Sequence, residues 1–168
     1  MRAAVLALSC AALATGGCTL RPLYAGGARG EVASSLRSVA VAPIPGRAGY
    51  LIRGALVDRL GGGGQSPRFR LEIELDDRIT GFGIRLDDAV TRERRTLRAR
   101  YRLVDARIGT VLLDATAGSD AGVDVVGSEY ATVAAEQTAL ERLAKVVAEQ
   151  IVSRVALFVS RNPTPAQP

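Results

Sequence analysis

At 168 residues, with 48% hydrophobic and 23% charged side chains, the chain has room for one folded domain and lies far from the disordered regime. Its 22 basic residues exceed the 17 acidic ones, and all but Lys145 are arginine, a bias that suits phosphate or carboxylate recognition but also follows from a GC-rich genome. Histidine is absent, which removes the usual general base and weighs against an enzyme of any class.

Residues 1–17 read as an export signal that is removed. Met1-Arg2 is a short basic start, and Ala3 to Ala14 is an uncharged Ala/Val/Leu run, too short for the roughly 20 residues that span a bilayer. Thr15-Gly16-Gly17-Cys18 resembles the lipobox of bacterial lipoproteins, with Thr15 where leucine is usual. Cys18 is then the acylated mature N-terminus. Cys10 leaves with the leader, so the mature chain has one cysteine and no internal disulfide. Acyl chains contribute about 0.8 kcal/mol per buried CH₂, and two or more anchor stably. Thr19 follows the cysteine where aspartate would favour inner-membrane retention, which leans toward the outer membrane. Residues 18–30, with Pro22 and a Gly-rich stretch, read as an extended tether.

The folded domain is expected over 31–161. Leu36 to Ile44 is a short apolar run ending at prolines and reads as a strand. Arg47 to Leu60 has helical spacing and stops at Gly61-Gly62-Gly63-Gly64. Arg68 to Ile79 alternates strictly: Phe69, Leu71, Ile73, Leu75, Asp77 and Ile79 on one face, Arg68, Arg70, Glu72, Glu74, Asp76 and Arg78 on the other. Ala89 to Asp105 repeats the pattern, and the two runs form an antiparallel hairpin through 80–88. Val111 to Ala117 is a further strand, with Val111, Leu113 and Ala115 inward. From Ser128 to Arg161 the period becomes helical, with Leu140, Leu143, Ala144, Val147, Ile151, Val155 and Phe158 in one stripe. Residues 162–168 are a polar, Pro-rich disordered tail. The expected fold is α+β: a two-layer sandwich of a mainly antiparallel four-stranded sheet packed on one face by two helices.

Arg92, Arg94, Arg98, Arg100 and Arg102 share one strand face over roughly 34 Å. Two readings stand evenly: an anion-facing surface, or a solvated face whose arginines pair with Glu72, Glu74 and Asp76 across the hairpin, Arg94 and Arg98 among them. Nucleic acid is the common partner of a chain with pI near 9.9, but export argues against it. The anions at an outer membrane are lipid and lipopolysaccharide phosphates, acidic sugars and acidic proteins. The glycine run lacks the Lys-Ser/Thr of a phosphate loop and reads as a turn. Asp87-Asp88 lacks further ligand spacing and reads as loop capping. His/Cys metal sites are excluded in the mature chain, and no cofactor is expected.

Cys18-Thr19-Leu20-Arg21-Pro22-Leu23-Tyr24 resembles the Cys-Gly-Phe-x-Pro-Leu-Tyr opening of the lipopolysaccharide-assembly lipoprotein family LptE, in its alphaproteobacterial form. Thr19 for Gly and Leu20 for the aromatic are departures. Val41-Ala42-Pro43-Ile44, Leu56-Val57-Asp58-Arg59-Leu60, Tyr101-Arg102-Leu103-Val104-Asp105 and Ser128-Glu129-Tyr130-Ala131 are similar in order and spacing. The resemblance implies a role without catalysis: a plug and assembly partner inside the outer-membrane β-barrel LptD, binding lipopolysaccharide as it passes to the outer leaflet. It places no lipopolysaccharide-binding residue by motif, so the five arginines rest on alternation alone. The rivals are an auxiliary lipoprotein of an ABC-type lipid transporter and a lipoprotein that binds a cell-wall polymer.

Overall fold

The computed structural model describes residues 30–64, 66–84, 90–125 and 127–162. The expected leader, Cys18, nearly all of the tether, the Asp87-Asp88 pair and the tail from Pro163 lie outside the described residues. In chain order the elements are α1 (Glu31–Arg37), β1 (Val39–Val41), α2 (Gly46–Leu60), β2 (Phe69–Ile84), β3 (Val90–Asp105), β4 (Val111–Asp124) and α3 (Glu129–Arg161).

Alternation builds the sheet. Phe69, Leu71 and Ile73 of β2 lie opposite Asp105, Leu103 and Tyr101 of β3, so greasy side chains share one face and charged ones the other. β4 joins the far side of β3 in antiparallel register, Leu113 opposite Leu103 and Ala117 opposite Ala99. A bulge at Leu103/Val104 turns the start of β4, which leaves Val111 exposed, not inward as alternation alone implied.

Three expectations are corrected. The sheet, in the order β1-β2-β3-β4, is mixed: β1 runs parallel to β2. The chain leaves β1 through α2 and returns, and a helical crossover brings a strand back in the same direction. The strand expected over Leu36 to Ile44 is only Val39–Val41. Ahead of it α1 forms and closes where the Ser38 hydroxyl donates to the Ser35 carbonyl at 2.6 Å. After it the last ladder bond, Ala42 N–H to the Leu71 carbonyl at 2.9 Å, precedes Pro43, which has no N–H to continue. Among the described residues there are therefore three helices, α1 being the one the short apolar run hid.

All three helices lie on the greasy face. α3 crosses β3 and β4, α2 packs on β1, β2 and α3, and α1 leans on α3 and β1. The core joins Leu71, Leu97, Tyr101 and Leu103 of the sheet to Ile52, Leu56 and Leu60 of α2 and Leu140, Val147, Ile151 and Val155 of α3. Burying each large aliphatic side chain contributes about 1.5–3 kcal/mol. The helical stripe holds, except that Val159 is buried where Phe158 is only partly so. Ser128 caps the first turn, Thr132 N–H donating to its carbonyl at 3.1 Å, and Asn162 closes the last turn on the Phe158 carbonyl. β4 is an edge strand, and α3 covers part of that edge. The Gln150 amide accepts from Gly118 N–H at 3.1 Å and donates to the Gly118 carbonyl at 3.3 Å, standing where a fifth strand's peptide group would stand.

Candidate functional site: the charged face of the sheet

The face turned away from the helices carries Arg92, Arg94, Arg98, Arg100 and Arg102 on the middle strand, as alternation required. Its register sets their neighbours: Glu72 lies opposite Arg102, Glu74 opposite Arg100, Asp76 opposite Arg98 and Thr80 opposite Arg94 on β2. On β4 the same face shows Asp114, Thr116, Gly118, Asp120, Gly122 and Asp124.

The arginines find their acids mainly on β4. Arg100 pairs with Asp114 at 2.8 Å, Arg92 with Asp124 at 3.0 Å and Arg98 with Asp120 at 3.4 Å. Arg102 alone turns to β2, reaching Glu72 at 3.3 Å and Glu74 at 3.7 Å. Two β2 acids are taken by their own strand, Arg70 to Glu72 and Arg78 to Asp76, both at 2.8 Å. The expected offset of Arg98 by the β2 acids is therefore made by Asp120, which lay beyond the predicted end of β4 at Ala117. Arg94 has no carboxylate in ion-pair range among the described residues; its guanidinium sits 5.4 Å from the centre of the Phe82 ring. Gly118 makes room for Arg98, whose Cδ would lie 2.5 Å from any Cβ there.

These pairs hold charge in place without burying it. The Arg100 and Arg92 side chains remain 60% and 64% exposed. The Asp114 carboxyl is held below its usual range, first by the Arg100 hydrogen bond and then by the charges of Arg100 and Arg102. Asp120 is lowered first by the Thr96 hydroxyl, which donates at 2.7 Å, and then by Arg98 and Arg94. Both acids stay ionised, so the face is a lattice of alternating charge. A shallow depression of about 480 Å³ opens in its middle, lined by Glu74, Asp76, Arg98, Arg100 and Thr116. Its walls offer donors and acceptors side by side, suited to a ligand that carries phosphates and hydroxyls together.

A second polar cluster sits on the helix side of the same hairpin, and sequence reasoning missed it. Arg95 binds Asp77 with two parallel hydrogen bonds, 2.9 and 2.6 Å, and gives a third to the Glu136 carbonyl at 2.9 Å. The Arg95 side chain is only 12% exposed. Glu93 lies beside Glu136, and its Oε2 is shut off from solvent with no hydrogen-bond partner among the described residues. The signal was present as Asp77, Glu93 and Arg95 at odd, core-facing positions.

Among the described residues no group of His, Cys, Asp or Glu has metal-binding geometry, and no helix is long and apolar enough to cross a membrane.

Known proteins give the fold a context. A protein from Caulobacter crescentus taken to be a lipoprotein shares 28% identity over 82% of this chain and all of its own, with a TM-score of 0.67. Two others share the fold: lipoprotein B from Nitrosomonas europaea, at 16% identity, over 73% of this chain and 83% of its own, TM-score 0.57, and the rare lipoprotein B of Shewanella oneidensis, at 9% identity, over 75% of this chain and 97% of its own, TM-score 0.59. No curated protein matches the chain by sequence. The family model for LptE, lipopolysaccharide assembly, matches residues 36–155, from the end of α1 almost to the end of α3. The chain belongs to the LptE lipopolysaccharide-assembly family.

Proposed function

We propose that this chain is an outer-membrane lipoprotein, processed after residue 17 and acylated at Cys18, that plugs and helps assemble an LptD-type β-barrel. On this reading the tether of 18–30 joins the membrane anchor to the domain of 31–161, which faces the periplasm or sits in the barrel lumen. The charged face of the sheet meets lipopolysaccharide phosphates during insertion into the outer leaflet. No step of this role makes or breaks a covalent bond. The observation that carries the lipopolysaccharide contact is the arginine row, held on one open face by ion pairs that stay in water.

Exposed pairs of this kind contribute little net stability, so their arginines exchange partners readily. A phosphate offers the guanidinium a bidentate acceptor with more charge than aspartate. Arg94, stacked on Phe82 without a carboxylate among the described residues, is the first contact such an anion meets. Arg92, Arg98, Arg100 and Arg102 follow by releasing Asp124, Asp120, Asp114 and Glu72.

Replacing Arg92, Arg94, Arg98, Arg100 and Arg102 together by serine should weaken lipopolysaccharide binding at least about tenfold and flatten its dependence on salt. Titration with purified lipopolysaccharide over a salt series reads both. Unchanged affinity and unchanged salt dependence would remove the face from the function.

A further inference from the structure

We propose that the contact between the Glu93 and Glu136 carboxyls is a pH-sensitive latch, which fastens the first two turns of α3 to the far end of the β2–β3 hairpin when protonated and releases them as pH rises. The proposal stands independently of what the outer face binds.

The surroundings leave this pair short of positive charge. Glu93 sits on the helix-facing side of β3, between Gly81 of β2 and Val123 of β4, neither of which can hydrogen-bond it through a side chain. The charge facing Glu93 is that of Glu136 on α3, while Arg95, two residues further along β3, faces Asp77 of β2 and Glu136. Of the nearby cations, Arg95 is committed to Asp77 and to the Glu136 carbonyl. Arg142 of α3 lines the neighbouring groove beside Ala121 and Val123, and Arg47 of α2 reaches Gln137 at 3.5 Å. Asp77 and Glu136 thus share one guanidinium, and Glu93 faces the Glu136 charge. Glu93 Oε2 is shut off from solvent and has no hydrogen-bond partner among the described residues, a condition that an ionised oxygen tolerates poorly and a protonated carboxyl tolerates far better.

A proton shared between the two carboxyls turns repulsion into a hydrogen bond. Loss of water first, then the charge of Glu136 and that hydrogen bond, raise the Glu93 carboxyl above its ordinary 4.5. A raised carboxyl binds its proton more tightly in the docked form. The stabilisation is therefore complete below the ordinary value and disappears as pH climbs through the raised one. What comes loose is the N-terminal end of α3 and the stretch of β3 whose other face carries Arg92 and Arg94. Ile79, Phe82, Tyr130 and Val133, all exposed, flank this end and add little to hold it.

Hydrogen–deuterium exchange on the full chain, corrected for intrinsic exchange, tests the latch from pH 4.5 to about pH 8. Protection of amides 131–138 and 92–96 should fall with rising pH, about tenfold for each unit by which Glu93 is raised. Glu93→Gln keeps a donor toward Glu136 but does not titrate, so protection should stay high and flat across the range. Glu136→Gln gives the same flattening from the other side, and serves if the first variant does not fold. A wild-type profile without a fall, or a fall that survives in either variant, would overturn the proposal.

Discussion

Gly63→Ala should destabilise the domain by about 3 kcal/mol, read as a lower urea midpoint at unchanged slope. Gly63 lies in the left-handed turn that ends α2, with φ of +82°, where a side chain costs about 1–2 kcal/mol. An added Cβ would also lie 2.7 Å from Cα and 3.0 Å from N of Ala40. Those are backbone atoms of β1, locked by pairing to β2, so they cannot swing aside as a long side chain would. Relieving the overlap adds about 1–3 kcal/mol. Gly62→Ala is the control: φ is +77°, yet the nearest atom is Val57 Cγ1 at 3.8 Å, so only the turn penalty of about 1–2 kcal/mol applies. Equal losses in the two variants would show that β1 does not press on the turn.

Arg95→Ala is expected to cost about 2–3 kcal/mol, although the chain has 22 basic side chains and most of its ion pairs are dispensable. The loss strands Asp77, whose side chain is 24% exposed, and removes the cation that faces Glu136 and holds its carbonyl. Breaking a pair inside the protein leaves an uncompensated charge, whereas breaking one in water leaves a charge that water solvates. Arg100→Ala supplies the contrast: its ion pair with Asp114 lies in solvent, and the urea midpoint should stay near that of the parent. If both variants unfold at the same urea concentration, the helix-side cluster does not fasten α3 to the sheet.

Strict alternation from Phe69 and the helical stripe from Leu140 made the hairpin, the long helix and the inward and outward faces legible, because each period admits one local geometry over many residues. Where the pattern was short or diluted it misled. Glu-Val-Ala-Ser-Ser-Leu-Arg is too brief to display a helical period, and its Leu36 was absorbed into the neighbouring strand. The β4 segment after Ala117 is rich in glycine and alanine, so its strand character was hidden. Yet Asp114, Asp120 and Asp124 keep the two-residue period, and following it would have found three partners of the arginine row. The parallel pairing of β1 was open to inference from the order strand–helix–strand. Which acid each arginine selects was not, since the register of three strands and the bare backbone at Gly118 decide it together.

The proposed role requires that this chain work beside a barrel. The most direct measurement is a gentle-detergent purification of the tagged, acylated protein, with mass spectrometry of what accompanies it in stoichiometric amount. The account predicts a large outer-membrane β-barrel of the LptD type. Inner-membrane ABC-transporter components in its place, or cell-wall fragments alone, would contradict it.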